Sequence, residues 1–558
     1  LGRDSEGRLL VLFPDATDED VRERLASISP VVAGTDVVVA GEHVRLTPVV
    51  GWARLTESPD GATAVAAAYT ANEEAHRQLD LRPVAFRPAL KTKSALEQPS
   101  GRARRRIAGM FRAALYPALM LLVGLVLPFG VYYGLDRIGI DIVEPAYWTV
   151  VGALMFTSVL LIIEGLLALD PPRPPRAPGK DYPPASAIIA AYLPNEAATI
   201  VDTVKAFLKV DYPAGLEVIL AYNTPRSLPV EDTLREIAEQ DPRLVLLKVA
   251  GSTSKAQNVN AAVTTATGEF VGVFDADHHP ARDAFARAWR WLSNGYDIVQ
   301  GHCVVRNGDA SAVARTVAVE FESIYAVSHP GRAKLHRFGL FGGSNGYWRT
   351  SVLARTRMHG TMLTEDIDST FRVLLSGGKV ASDPALVSRE LAPTSVKALW
   401  NQRSRWAQGW LQVSLRYLPQ VLRSDTLNFR QKLGGLVLLG WREVQPWLTL
   451  QVLPVLAYAV WRAGGPDKLD WLVPACLLTT ALSLAVGPIQ TLTTWLVAVP
   501  EIRRRKGWFW AYLIVSSFLY SHFKNTVART AHLRELFGER AWRVTPRAQE
   551  QTSATSGS

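Results

Sequence analysis

Apolar and polar positions alternate along most of this chain, but four stretches are almost unbroken in apolar character: residues 110–135, 147–169, 439–461 and 471–500. Each is long enough as a helix to cross the ~30 Å hydrocarbon layer of a bilayer, so they read as spans in two pairs. Between the pairs, from residue 185 to about residue 399, the pattern becomes strand, loop, helix, repeated. Short apolar runs at 187–191, 217–222, 244–249 and 270–275 predict buried strands, and amphipathic runs at 197–210, 230–240 and 254–265 predict helices between them. That alternation predicts a mostly parallel, helix-covered sheet. Such sheets bind ligands beyond the carboxyl ends of their strands, where Tyr192, Asn223 and Asp275 to Asp277 fall.

The flanks divide by the same criterion. Residues 1–90 alternate β-like runs (8–13, 36–40, 43–48) with a helical run at 18–28 opened by Thr17, and predict a small N-terminal α/β domain without an evident catalytic group. The segment from Leu1 is polar with no cleavable-signal pattern, and the missing initiator Met leaves the true start open. Residues 91–109 form a basic linker, 110–169 a transmembrane hairpin, 401–438 amphipathic interfacial helices and 439–500 transmembrane helices, the second tilted or broken near Gly487-Pro488. The next apolar run, 508–520, is too short to span, so 501–547 reads as an interfacial helix with a trailing segment, and 548–558 as a disordered Ser/Thr-rich tail.

Charge fixes the expected orientation. The formal net charge of +10 comes with basic clusters at 102–106, 173–180 and 503–506, each beside an apolar segment. This is a positive-inside distribution rather than a nucleic-acid footprint, and it puts the sheet domain on the cytoplasmic side of a multi-pass inner-membrane protein. Glu164 lies inside the second span, where snorkelling or a helix partner must satisfy it. The only cysteines, Cys303 and Cys476, lack metal-ligand spacing and imply neither a disulfide framework nor a zinc site.

Three short signatures carry the chemistry. Asp275-Ala276-Asp277 ends an apolar run, so two carboxylates stand at a strand terminus, able to share one hard divalent cation, Mg²⁺ or Mn²⁺, with a diphosphate. His278 and His279 follow as either an added ligand or surface histidines. Thr364-Glu365-Asp366 offers a base and also reads as a helix N-cap with acidic followers. Gln402-Arg403-Ser404-Arg405-Trp406 sets a planar cation beside an indole that can stack on a sugar ring.

In this order the signatures resemble the processive membrane branch of glycosyltransferase family 2, which includes cellulose, hyaluronan and chitin synthases, over residues 110–547. The resemblance implies an α/β nucleotide-sugar-binding domain of GT-A type, residues 180–400, inserted between transmembrane helices. It makes Asp366 the catalytic base with Glu365 beside it, and Asp275 and Asp277 the metal ligands. It assigns UDP-sugar binding to Tyr192, Glu196, Asn223, Lys255, Asp275, Asp277, Gln402 and Arg405, and to Thr545 and Arg547 of a gating segment. Gly343, Ser344, Asn345 and Trp406 fall on the acceptor side. Two departures stand out: Leu193-Pro194 is inserted into the first nucleotide-binding turn, and Asn223 replaces an acidic pair near the base, which weakens the case for strict uridine specificity.

The implied reaction is inverting transfer of a hexose from a UDP-sugar to a growing polysaccharide that is secreted across the membrane. UDP-glucose and a β-glucan come first, with UDP-N-acetylglucosamine and a chitin- or hyaluronan-like product as the close competitor. Non-processive transfer to a lipid acceptor is the rival mechanism. A non-catalytic nucleotide-binding subunit is disfavoured by intact Asp277 and Asp366, and c-di-GMP control by the lack of an accompanying motif near 102–106. The expected partners are the UDP-sugar donor, the polysaccharide acceptor and membrane lipid, with no nucleic acid; a homo-oligomer or a secretion partner is left open.

Overall fold

A computed structural model describes residues 115–249 and 252–539, together with 2–3, 9–34, 36–39, 42–45, 49–58, 60–78 and 83–87 of the N-terminal part. Its centre is an eight-stranded mixed sheet. The strand order is His279–Pro280, Val380–Glu390, Ile298–Val305, Gly346–Arg349, Phe270–Asp275, Ala185–Tyr192, Leu216–Asn223, Leu244–Lys248. Phe270–Asp275, Ala185–Tyr192, Leu216–Asn223 and Leu244–Lys248 are all parallel to their neighbours in that block. Gly346–Arg349 runs antiparallel to the strands on both of its sides and joins this block to the parallel pair Ile298–Val305 and Val380–Glu390.

The period-two alternation of the central strands sorts their side chains into two cores. Ile188, Ile219, Val271 and Val273 pack with Val259 and Ala262 of the helix Lys255–Val263. Ile189, Val218, Leu220 and Phe274 face the other way, onto Val204, Phe207, Phe285 and Trp289. Both faces are covered, which is why these strands read in the sequence as nearly continuous apolar runs.

The sheet is tied to helices of membrane-spanning character. Among the described residues, three helices have the length and composition to cross a bilayer: Leu115–Arg137, Val143–Ala168 and Phe429–Ala463. The third starts ten residues earlier than the expected span at 439, because Asn428 and Gln431 form a reciprocal capping box that sets its first turn. Leu472–Val497 is one 26-residue helix that continues through Pro488, so the expected break there is absent. Proline is tolerated within such helices where neighbouring groups re-satisfy the freed carbonyl. The basic turn at 503–506 leads into a further helical stretch, Lys506–Val515, a π-helical turn Ser516–Tyr520, and Ser521–Leu536. Glu164 has a helix partner: its Oε1 accepts from Arg332 Nε at 2.8 Å, linking the hairpin to the sheet domain through the helix His329–His336.

In the N-terminal part the expected helix spans Asp18–Gly34, with Thr17 and Asp20 exchanging cap hydrogen bonds. A second helix, Gly61–Gln78, was not expected; its alanine-rich sequence was the available signal.

Candidate active site

Because Ala185–Tyr192, Leu216–Asn223 and Phe270–Asp275 run parallel, their carboxyl ends reach the same edge, with Tyr192 opposite Asn223 and Asp275 opposite Ala190. That edge opens into a cavity of about 600 Å³. Twelve of the expected site residues line it: Tyr192, Glu196, Asn223, Lys255, Asp275, Gly343, Ser344, Glu365, Asp366, Gln402, Arg405 and Trp406. Thr545 and Arg547 lie outside the described residues.

At one end the side chains are amides. Asn223 donates from Nδ2 to the Ser252 carbonyl at 2.8 Å, and its Oδ1 accepts from Asn258 Nδ2 at 3.3 Å, which also donates to the Ala191 carbonyl. Leu193-Pro194 is absorbed as one helical turn, Leu193–Glu196, with the proline at its start, where a missing N–H costs nothing. Glu196 Oε2 accepts from the Tyr192 N–H at 2.6 Å, so this carboxylate holds the turn together as it faces the cavity.

Lys255 opens the helix Lys255–Val263, which Ser254 and Gln257 cap reciprocally. That cap aims the ammonium at Asp275 Oδ1 and at the Gly343 carbonyl, each at 2.5 Å. Burial opposes the Lys255 charge, but Asp275, Glu365 and Asp366 together outweigh it and raise its pKa.

Asp277 sits behind this edge, fully buried, its Oδ2 accepting from the Leu391 N–H at 3.0 Å. The ligand atoms of Asp275, Asp277 and His278 lie within 4.8 Å of one another. Two carboxylates and an imidazole suit a Mg²⁺ or Mn²⁺ ion, so the donor set fits the expected cation. His278 is thus no surface histidine: it is buried, with Nδ1 on Ser388 Oγ at 3.0 Å and Nε2 3.5 Å from Glu390. Burial disfavours its charged form, but Glu390 with Asp277 and Asp275 outweighs that and raises its pKa.

Asp366 stands across the cavity in the first turn of the helix Glu365–Leu375. Thr364 is at the N-cap position, but its side chain makes no capping bond; the Asp366 carboxylate itself accepts from the Ile367 N–H at 2.9 Å. Gly343 has φ +92°, and a β-carbon there would stand 2.9 Å from Asp366 Oδ2, so glycine is required twice over. Burial first, and then the neighbouring Glu365 charge, push the Asp366 carboxyl up to about 7, against the Ile367 N–H, Lys255 and Arg405. Glu365 is also raised, chiefly by burial.

The third signature lies on the helix Val396–Arg423, capped by the Ser395 hydroxyl. Gln402, Arg405 and Trp406, spaced i, i+3 and i+4, share its cavity face. The helix passes so close to Thr364 that a β-carbon on Gly409 would lie 2.5 Å from its methyl group.

One expected acceptor residue has a different place. Asn345 is fully buried; its Nδ2 donates to the His302 and Leu386 carbonyls and its Oδ1 accepts from Tyr347. It holds three strands together behind the cavity, because a buried amide must spend its donors on backbone. Conversely, Asn258, Ser252, Cys303, Tyr325 and Glu390 line the cavity without having been singled out. Asn258 follows Lys255 by three positions on one helix and could have been found from that spacing.

Residues 183–409 match the family model described as Glycosyltransferase like family 2. The chain carries a glycosyltransferase family 2 domain. The chain is 27% identical over 250 residues to the probable glycosyltransferase YdaM of Bacillus subtilis, covering 44% of this chain and 59% of that protein. The chain is 26% identical over 351 residues to beta-monoglucosyldiacylglycerol synthase of Synechocystis sp., covering 61% and 68%. To poly-beta-1,6-N-acetyl-D-glucosamine synthase of Staphylococcus epidermidis it is 27% identical over 246 residues, covering 44% and 58%. The chain therefore spans between 58% and 68% of the length of these curated relatives. Among solved structures, the mannosyltransferase PcManGT from Pyrobaculum calidifontis, in complex with GDP-Man and Mn²⁺, superposes with a TM-score of 0.50 at 21% identity, covering 71% of this chain and 99% of that one. The family 2 domain thus has the GT-A fold.

Proposed function

We propose that the chain is a multi-pass inner-membrane hexosyltransferase, its family 2 domain cytoplasmic, that moves a hexose from a UDP-sugar to a growing β-glycan with inversion and passes the product across the bilayer. UDP-glucose and a β-glucan are the first choice, and UDP-N-acetylglucosamine the competitor. The observation that carries the reading is Asp366, a carboxyl raised to about 7 at the wall of the same cavity that holds Lys255, Asp275 and Arg405. A base poised near neutrality suits the removal of a proton from a sugar hydroxyl.

In this reading Asn223 and Asn258 meet the base, and Lys255 and Arg405 face the diphosphate. Asp275, Asp277 and His278 would hold the divalent cation, which when bound offsets charge on the departing nucleoside diphosphate. Trp406 presents its ring to the terminal sugar of the acceptor. The acceptor oxygen bonds to the anomeric carbon as the bond from that carbon to the diphosphate breaks, the hydroxyl proton passes to Asp366, and UDP leaves. Asn223 supplies an amide where a carboxylate would select uracil, so a second nucleotide remains a real competitor.

A second reading has an observation of its own: the similarity to beta-monoglucosyldiacylglycerol synthase reaches 61% of this chain, beyond the family 2 domain. Transfer to a lipid acceptor at the membrane surface would use the same base and cation. Reconstitution in lipid vesicles with labelled UDP-glucose, UDP-N-acetylglucosamine and GDP-mannose tests both. A polymer that is sized and digested by a linkage-specific hydrolase supports the first reading; label that extracts only with lipid supports the second; no transfer from any donor rejects both.

A further inference from the structure

Arg403 fills a slot in the third signature that the sequence leaves without a role. Unlike Gln402, Arg405 and Trp406 it does not line the cavity. Its buried guanidinium donates from Nη2 to Glu320 Oε2 at 2.6 Å. The guanidinium carbon lies 4.3 Å from the Trp406 ring centroid and 5.7 Å from that of Phe321. The Phe321 and Trp406 rings are themselves stacked, with centroids 6.5 Å apart and planes 29° from parallel. The indole thus packs against a cation, and a carboxylate holds that cation.

Glu320 reaches further. It accepts from the Tyr520 hydroxyl at 2.7 Å and lies 3.5 Å from Lys524 Nζ, so the stretch around the π-helical turn Ser516–Tyr520 is bonded to the same carboxylate. Burial opposes its charge, but Arg403 and then Lys524 outweigh burial and keep Glu320 ionised. Removing Glu320 takes away the ion-pair partner of the buried Arg403, whereas removing Arg403 leaves Glu320 with Lys524 and the Tyr520 hydroxyl.

We propose that Glu320 and Arg403 are positioning residues that hold the Trp406 ring at the angle the acceptor sugar needs and couple that angle to the helix carrying Tyr520 and Lys524. The proposal rests on the reading of Trp406 as an acceptor platform. Stacking on an indole requires a planar guanidinium, so a lysine at 403 keeps the charge and the ion pair but loses the support of the ring.

The test uses the full chain in lipid nanodiscs, with short soluble β-oligosaccharides of glucose and of N-acetylglucosamine as acceptors. Arg403→Lys is expected to raise the acceptor KM about tenfold, as the planar guanidinium face against the indole is lost, while nucleotide Kd stays within about twofold and kcat at saturating acceptor changes less than KM. A merely structural role predicts the opposite split: nucleotide binding and kcat fall together with the folded fraction and the acceptor KM stays in place, which overturns the proposal. If Arg403→Lys does not fold, the double variant Glu320→Leu with Arg403→Met removes both charges from the buried site and is expected to show the same rise in acceptor KM. Trp406→Ala, measured alongside, separates the two levels. If it raises the acceptor KM and the Arg403 variants do not, positioning fails and the platform stands; if it leaves the acceptor KM unmoved, both fall.

Discussion

The carboxylate of Asp366 lies 2.9 Å from where a β-carbon on Gly343 would stand, and Gly343 holds φ +92°. Two independent constraints therefore exclude any side chain at 343. Gly343→Ala is expected to strain the backbone by ~1–2 kcal/mol and to push the Asp366 carboxylate out of place. Turnover should fall by about tenfold or more while nucleotide affinity changes little, since a small displacement of a base is costly to rate and not to binding. Steady-state kinetics with a parallel nucleotide titration check this; wild-type turnover in the variant would remove the packing argument.

Asp366 gives opposite signs for activity and stability. Its carboxyl is raised to about 7 from an ordinary 3.8, so the ionised, proton-accepting form grows as pH rises through 7, and activity should climb over that interval. For folding, the raised value means that the folded state binds the proton more tightly than the unfolded chain. The stabilising contribution is fully present below about 3.8 and is lost as pH rises through about 7. Asp366→Asn should abolish transfer, keep nucleotide affinity, and be more heat-stable than wild type at pH above about 7 but not at acidic pH. A variant that still transfers at the wild-type rate would end the base assignment.

The buried Asp277 carboxylate, bonded to the Leu391 N–H and grouped with Asp275 and His278, predicts dependence on a divalent cation. Asp277→Asn should weaken nucleotide binding and turnover together, and the loss should be partly recovered at high Mn²⁺. Full wild-type activity in excess chelator would exclude the cation.

The parallel half of the sheet was legible because both of its faces are buried, which gives Ala185–Tyr192, Leu216–Asn223 and Phe270–Asp275 unbroken apolar runs. The strands Ile298–Val305, Gly346–Arg349 and Val380–Glu390 were not. Val380–Glu390 contains Asp383 and Pro384, and Asp383 is compatible with a buried strand only because Arg287 and the Trp291 indole N–H bond its carboxylate. No local pattern announces a partner about ninety residues away. The same blindness hid Cys303, Tyr325 and Glu390, which enter the cavity from Ile298–Val305, the π-helical turn Glu322–Ser328 and the end of Val380–Glu390. Asn345 misled for a related reason: a small polar residue in a glycine-rich run reads as a ligand contact, whereas its amide is spent on the backbone of its neighbours.

Glu164 was legible as an anomaly and only the fold supplies its partner. It is 1% exposed on the helix Val143–Ala168, and Arg332 Nε donates to it at 2.8 Å from the helix that begins at His329. A buried carboxylate left without its cation costs ~3–5 kcal/mol, whereas removing both charges is often neutral. Arg332→Met is therefore expected to lower the thermal midpoint of the detergent-solubilised protein markedly, and the double variant Glu164→Leu with Arg332→Met to recover most of that loss. Because the pair joins the hairpin to the sheet domain rather than facing the cavity, nucleotide affinity of the folded fraction should stay near wild type in both. Equal midpoints for the single variant and wild type would show that Glu164 is satisfied in some other way, and that the remaining contacts, Lys334 Nζ to Asp170 among them, hold the hairpin to the domain.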